Sequence, residues 1–176
     1  MSEEVLSRRQ ALMVLNALPH LGPVSLNRLL EAFDRDPVRI LRSKAADLRR
    51  VPDIGPAIAG VIVAWERHFN LAREERQLAG MGGRFIVPED DDYPLLLKQI
   101  YDPPIGLYWI GEYTIDRPCV AVVGTRRCTL YGLNVARKLG SDLARLGFCV
   151  VSGMARGIDR AAHEGALEAE GGTLAI

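Results

Sequence analysis

Two short runs in this 176-residue chain could hold a phosphate or another oxyanion. The first is Gly124-Thr125-Arg126-Arg127, and the second is Ser152-Gly153-Met154-Ala155-Arg156-Gly157. Gly124, Gly153 and Gly157 carry no side chain, so another molecule can approach the backbone there. Thr125 and Ser152 offer hydroxyls. Arg126, Arg127 and Arg156 supply fixed positive charge and forked donors that match phosphate oxygens. Successive amides in a turn that opens a helix converge on one point and favour an anion. Neither run is the dinucleotide pattern GxGxxG or the pattern GxxxxGK[ST]. Without the lysine of the latter, nucleotide hydrolysis is not expected. Either run alone also reads as an ordinary turn; two of them on adjacent parallel strands would lie side by side.

Asp159 and His163 stand four apart on a predicted helix and could share one face. Such a pair suits acid–base work, but equally a helix cap or a prop for the preceding loop. No nucleophile or metal-ligand cluster accompanies it, so no catalytic residue, metal or cofactor is assigned. Tyr131 reads either as core or as a surface on which a base could stack. Cys119, Cys128 and Cys149 have no CxxC spacing and are odd in number, which argues against a disulfide framework and a zinc site. Cys119 and Cys149 read as small core residues. His20 and His68 are isolated.

The elements that must position the two runs follow from the pattern. Cys119–Val123 is an apolar stretch without alternation, which predicts a strand buried on both faces. A helix is predicted from about Tyr131 to Leu146, ended by Gly147, then a strand over Phe148–Val151. Ile158–Glu168 is the next helix; Gly171-Gly172 breaks it, and Thr173–Ile176 opens another strand. Strand, helix, strand, helix, strand is the order of a parallel sheet with covering helices. Ligands of such sheets bind beyond the carboxyl ends of the strands, where both runs fall. Upstream, Arg84–Val87 and Gly106–Ile110 read as strands and Pro94–Ile100 as a short helix.

Residues 1–79 read as a separate helical domain. Leu6, Leu12, Val14 and Leu15 form one stripe, and Leu26, Leu29, Leu30 and Phe33 another. Asp36-Pro37 is a helix start, and a long helix is expected from Pro56 to about Leu78, closed by Gly80, Gly82 and Gly83. Residues 15–23 repeat at 48–56: Leu, Pro, Gly and Pro recur, with Leu18 matching Val51 and Leu21 matching Ile54. Each copy reads as a helix end, a tight hairpin and a new helix at Pro23 or Pro56, and the copies are expected to pack together.

Formal net charge is zero, from 22 basic and 22 acidic residues, which argues against a surface that is basic all over. Residues 80–119 are the acidic stretch, and the run Glu89-Asp90-Asp91-Asp92 reads as a solvated loop. There is no 18-residue apolar stretch and no signal-peptide start at MSEEVLSRRQ, so neither a membrane span nor secretion is expected. Reduced thiols suit the cytoplasm. The chain stops within a predicted strand, which suggests a piece of a longer protein.

The runs VAVVGTRRCTLYG, VVSGMARGIDRAAHEGAL and GGTLAI, with YPLLLKQIYDPPIGLYWIGE upstream, resemble the DNA-processing protein A (DprA/Smf) family over residues 93–176. The resemblance implies that 84–176 is an incomplete Rossmann-like domain that binds single-stranded DNA. It implies a non-enzymatic protein of natural transformation that protects incoming DNA, helps load the RecA recombinase and forms a homodimer at full length. The family's phosphate contacts map to Arg126 and to Ser152, Gly153, Arg156 and Gly157. The helical repeat resembles paired helix-hairpin-helix units of a SAM-like domain, with His20 and Asp53 in place of the first hairpin glycine. Asp53 would repel phosphate, so a structural or partner-binding role is as plausible there. Two alternatives stand beside this reading: a Rossmann-like enzyme cleaving a nucleoside monophosphate, and an adaptor that does not bind DNA.

Overall fold

Three helix starts in the first part of the chain, after Ser7, Asp36 and Asn70, are set by side chains that supply missing acceptors, and two others by a proline after Gly22 and Gly55. The computed structural model describes residues 6–111, 115 and 117–176. They fall into two compact units, 1–111 and 112–176.

In the first unit α1 (Arg8–Ala17) opens with a reciprocal cap. Ser7 Oγ accepts from the Gln10 amide at 3.2 Å, and Gln10 Oε1 accepts from the Ser7 amide at 2.8 Å. α2 (Pro23–Ala32), α3 (Pro37–Arg42), α4 (Ala45–Leu48) and α5 (Pro56–Val63) follow. Asp36 caps α3 by accepting from the amides of Val38 and Arg39. The single long helix expected from Pro56 is instead three: α5, α6 (Trp65–His68) and α7 (Leu71–Gly80). Phe69 is extended, at φ −141° and ψ 131°, and the Asn70 side chain accepts from the Arg73 amide to start α7. A side chain able to cap competes with helix continuation, and here the cap wins.

The repeat is structural as well as sequential. Leu15 and Leu48, Leu18 and Val51, and Leu21 and Ile54 are all buried in one core. His20 and Asp53 both adopt φ 64°, the left-handed region that glycine favours. The carbonyls of Gly22 and Gly55 each accept the first helical amide, from Leu26 and Ala59, at 3.0 Å. The Asp53 carboxylate forms an ion pair with Arg28.

β1 (Gly83–Ile86) and β2 (Leu107–Ile110) pair antiparallel, with Gly83 opposite Ile110. Phe85, Val87 and Ile105 join the helical core, so the change of pattern near Gly83 does not start a separate packing unit. The segment expected as a short helix at Pro94–Ile100 is a 3₁₀ helix over Leu95–Gln99. The acidic run is not a free solvated loop. Arg9 binds Asp90 with both guanidinium nitrogens at 2.6 and 2.8 Å, Arg8 binds Glu89 at 2.8 Å, and Arg84 binds Asp92 at 2.6 Å.

In the second unit β3 (Cys119–Ala121), α8 (Leu130–Arg145), β4 (Cys149–Ser152), α9 (Ile158–Glu168) and β5 (Thr173–Ala175) alternate. The strands form a parallel sheet of order β3-β4-β5, with Cys119 beside Cys149 and Val150 beside Thr173. This is the mixed α/β architecture expected of the sequence. Val122, Val150, Ala144, Ala162 and Ala166 form the core between the sheet and its two helices. α8 and α9 approach so closely that a Cβ on Gly140 would strike the Ala162 carbonyl, and one on Gly165 the Arg137 carbonyl.

Burial of the first strand on both faces is not observed. Alternation sends Val122 into the core, while Cys119, Ala121 and Val123 are exposed. Cys119 is therefore a surface thiol, whereas Cys149 is fully buried. Among the described residues, no helix is long and apolar enough to cross a membrane, and no group of three metal-ligating side chains converges.

Candidate functional site

The two glycine turns leave β3 and β4 at their carboxyl ends and pack on one another. Gly157 has φ 95°, and a Cβ there would collide with the Thr125 carbonyl oxygen. The Ile158 amide donates to that same oxygen at 3.3 Å. Ile158 also presses on Gly124, where a Cβ would come within 2.7 Å of its side chain. Residues 124–127 and 153–157 thus form one continuous surface, as the spacing of the motifs requires.

Within the first turn the Thr125 hydroxyl accepts from the Arg127 amide at 3.1 Å, which fixes the bend. Thr129 then caps α8 by accepting from the Gly132 amide at 3.2 Å. In the second turn the amides of Gly153, Met154, Arg156 and Gly157 make no backbone hydrogen bond among the described residues. These are free donors of the kind an oxyanion uses.

The charge around them is unbalanced. Arg126, Arg127 and Arg156 are exposed and form no ion pair among the described residues. Elsewhere in the same unit Arg137 is paired with Glu168, Lys138 with Asp142 and Arg160 with Glu164. The pairing holds the Arg137 guanidinium above its usual range and the Glu168 carboxyl below its own, chiefly through their shared hydrogen bonds.

Two sequence-assigned donors are committed to the fold instead. Ser152 is buried, and its hydroxyl donates to the Val122 carbonyl at 2.6 Å, bracing β4 against the end of β3. Its side chain therefore does not present a hydroxyl to a ligand; the turn begins in effect at Gly153. The Gly124 amide donates to Asp159 Oδ1 at 3.1 Å and its missing Cβ makes room for Ile158, so Gly124 serves the packing of the turns and is not the open backbone donor expected from the sequence.

Asp159 and His163 do not act as a pair. Asp159 is buried at the start of α9 and anchors the first turn. The His163 Nδ1 meets the Thr173 hydroxyl at 2.7 Å, and that hydroxyl donates to the Val150 carbonyl, so the ring braces α9 against the sheet. Asp159 as an anchor was open to sequence reasoning, since an acid in the first helical turn is a cap or prop. Met154, at φ 53°, was not, because methionine gives no signal for a left-handed backbone.

A family model described as DNA recombination-mediator protein A matches residues 84–176. Protein Smf of Synechocystis sp. is 33% identical over 160 residues, covering 88% of this chain and 40% of the relative. A putative DNA processing protein DprA of Mycobacterium tuberculosis is 36% identical over 147 residues, covering 76% of this chain and 38% of the relative. The X-ray structure of DNA processing protein A from Streptococcus pneumoniae superposes with a TM-score of 0.70 at 26% identity, over 96% of this chain and 56% of that one. The chain thus spans about two fifths of the length of these curated relatives.

Proposed function

We propose, starting from a chain that belongs to the DNA recombination-mediator protein A (DprA/Smf) family, that its glycine-turn surface binds the phosphates of single-stranded DNA. The observation that carries this reading is the set of three exposed arginines, Arg126, Arg127 and Arg156, which among the described residues have no carboxylate partner and stand beside amides that make no backbone hydrogen bond. Thr125 shapes the first turn, Gly157 lets the two turns pack together, and the amides of Gly153 and Gly157 are the groups offered to the phosphates. Ser152 and Gly124 hold the scaffold. Contacts of this kind position a strand without reading its sequence.

The protein acts by holding DNA, not by breaking bonds in it. The carboxylate closest to the turns, Asp159, is buried and engaged by the Gly124 amide, which suits an anchor. In the full-length protein the same surface would protect incoming DNA during transformation in the cytoplasm. A homodimer would then pass the coated strand to the RecA recombinase.

Fluorescence anisotropy with short oligonucleotides at several salt concentrations tests the reading. Each phosphate neutralised on a single strand contributes about 0.7 to the log–log salt slope. Arg126→Ala is expected to weaken all sequences about equally and to flatten the slope by about that amount. A slope unchanged in this variant would overturn the assignment.

A further inference from the structure

Cys119 and Cys149 are far apart in sequence and side by side in the sheet. They are partners in the parallel register of β3 and β4, and both are thiols in this structure. The Cys149 amide donates to the Pro118 carbonyl at 2.9 Å, so the ladder is closed at their level. Val122 and Val150 point into the core beneath the helices. Alternation therefore sends Cys119 and Cys149 together to the opposite face. Their surroundings differ. Cys149 is fully buried, whereas Cys119 is exposed. Both lie at the amino ends of their strands, away from the two glycine turns. Cys128, the third thiol, belongs to the segment after the first turn.

This arrangement suits one reaction. Neighbouring strands are about 4.8 Å apart, inside the range of Cα separations, roughly 4.4–6.8 Å, that a disulfide spans. In-register Cβ atoms keep about the strand spacing, which exceeds the roughly 3.8 Å that the bond prefers. A bond made here would be strained, and strained disulfides are the readily reduced ones. The Cys119 sulfur meets the Arg117 carbonyl at 3.7 Å, a weak thiol contact that costs little to give up. An exposed thiol meets an oxidant first. Its buried neighbour, screened from the thiols of other molecules, is the group placed to answer it.

We propose that Cys119 and Cys149 form a reversible disulfide under peroxide, a redox-responsive staple between β3 and β4. The Cys119 thiolate attacks hydrogen peroxide; one oxygen goes to sulfur, and the other leaves as hydroxide and is protonated to water. The Cys149 thiolate then attacks the sulfenic sulfur, the S–O bond breaks, and the departing hydroxide takes up a proton as a second water. Two thiols have then given two electrons and two protons to one peroxide. A dithiol reductant returns both thiols by exchange. The odd cysteine count leaves Cys128 over, and the staple does not depend on the phosphate-binding reading.

The test treats the whole chain with hydrogen peroxide, alkylates the remaining thiols in denaturant and maps them by mass spectrometry. The wild type should lose alkylation at Cys119 and Cys149, keep it at Cys128, and yield a peptide pair joined through Cys119 and Cys149. Dithiothreitol should restore all three sites, and Cys128→Ser should behave alike. Cys119→Ser changes a surface position and leaves the core intact; in it Cys149 should be oxidised at least about ten-fold more slowly. In Cys149→Ala, dimedone should capture Cys119 as a sulfenic acid that the wild type does not accumulate. Cys119 joined to Cys128 or to a second chain, or Cys149 oxidised equally fast without Cys119, would overturn the proposal. So would a Cys149 that remains alkylatable in the treated wild type, whatever Cys119 has become.

Discussion

The amide of Gly124 donates to the carboxylate of Asp159 at 3.1 Å, across 35 positions of sequence. This bond ties the first glycine turn to the helix that follows the second. It also sets a carboxyl group beside the surface proposed to bind phosphates. Asp159→Ala is expected to leave the part-buried Gly124 amide without a partner and to cost about 1–3 kcal/mol of stability, measured by chemical denaturation. Asp159→Asn keeps an acceptor and removes the charge. That variant should stay close to wild-type stability and bind oligonucleotides a few-fold more tightly; weaker binding at unchanged stability would contradict the anion reading.

Contact between the turns depends on the absence of one side chain. Gly157→Ala must both hold a left-handed backbone and clear the Thr125 carbonyl, so it is expected to lose at least about 2 kcal/mol. Gly132→Ala is the control. Its new Cβ would sit 3.5–3.6 Å from its neighbours, and a helical alanine is better than glycine by up to about 1 kcal/mol. Melting curves of the two variants should therefore move in opposite directions.

Acid should loosen the clamp on the loop that carries Asp90. Its hydrogen bonds to Arg9, helped by the Val87 amide, outweigh desolvation and hold the carboxyl down to about 2, against an ordinary 3.8. A carboxyl with a lowered folded value contributes fully above its unfolded value and loses that contribution as pH falls toward its folded one. Asp90→Asn is therefore expected to destabilise the protein by on the order of 1 kcal/mol at neutral pH, limited by exposure of the pair. The difference from wild type should vanish between about pH 4 and pH 2. A gap that persists at pH 2 would show that the pair is not its source.

The repeat in the first unit predicts matched losses. Leu15 and Leu48 hold equivalent places and are both fully buried. Truncation of either to alanine should cost about 2–5 kcal/mol, through lost burial and the cavity left behind. A large loss at one position and little at the other would argue that only one copy carries the core.

Much of this molecule is written locally in the chain. Apolar periodicity located the strands and helices of the second unit to within a residue or two, because burial on one face repeats at the period of the element. Glycines at strand ends marked the two turns, because a sharp, closely packed turn admits few residue types. The two hairpins could be matched by eye, since Leu15 and Leu48 answer to the same packing demand.

Partners distant in sequence were decided only by packing. Ser152 looks like a ligand group in the motif, yet the neighbouring strand brings the Val122 carbonyl within reach and takes its hydroxyl. The acidic run looks solvated, yet three arginines meet it, two of them 81 positions away. Cys119 looks like core, yet alternation along its strand turns it away from the helices. A side chain's type and near neighbours fix what it can do; which atom it finally meets depends on where the folded backbone delivers a second element, and no local pattern carries that information.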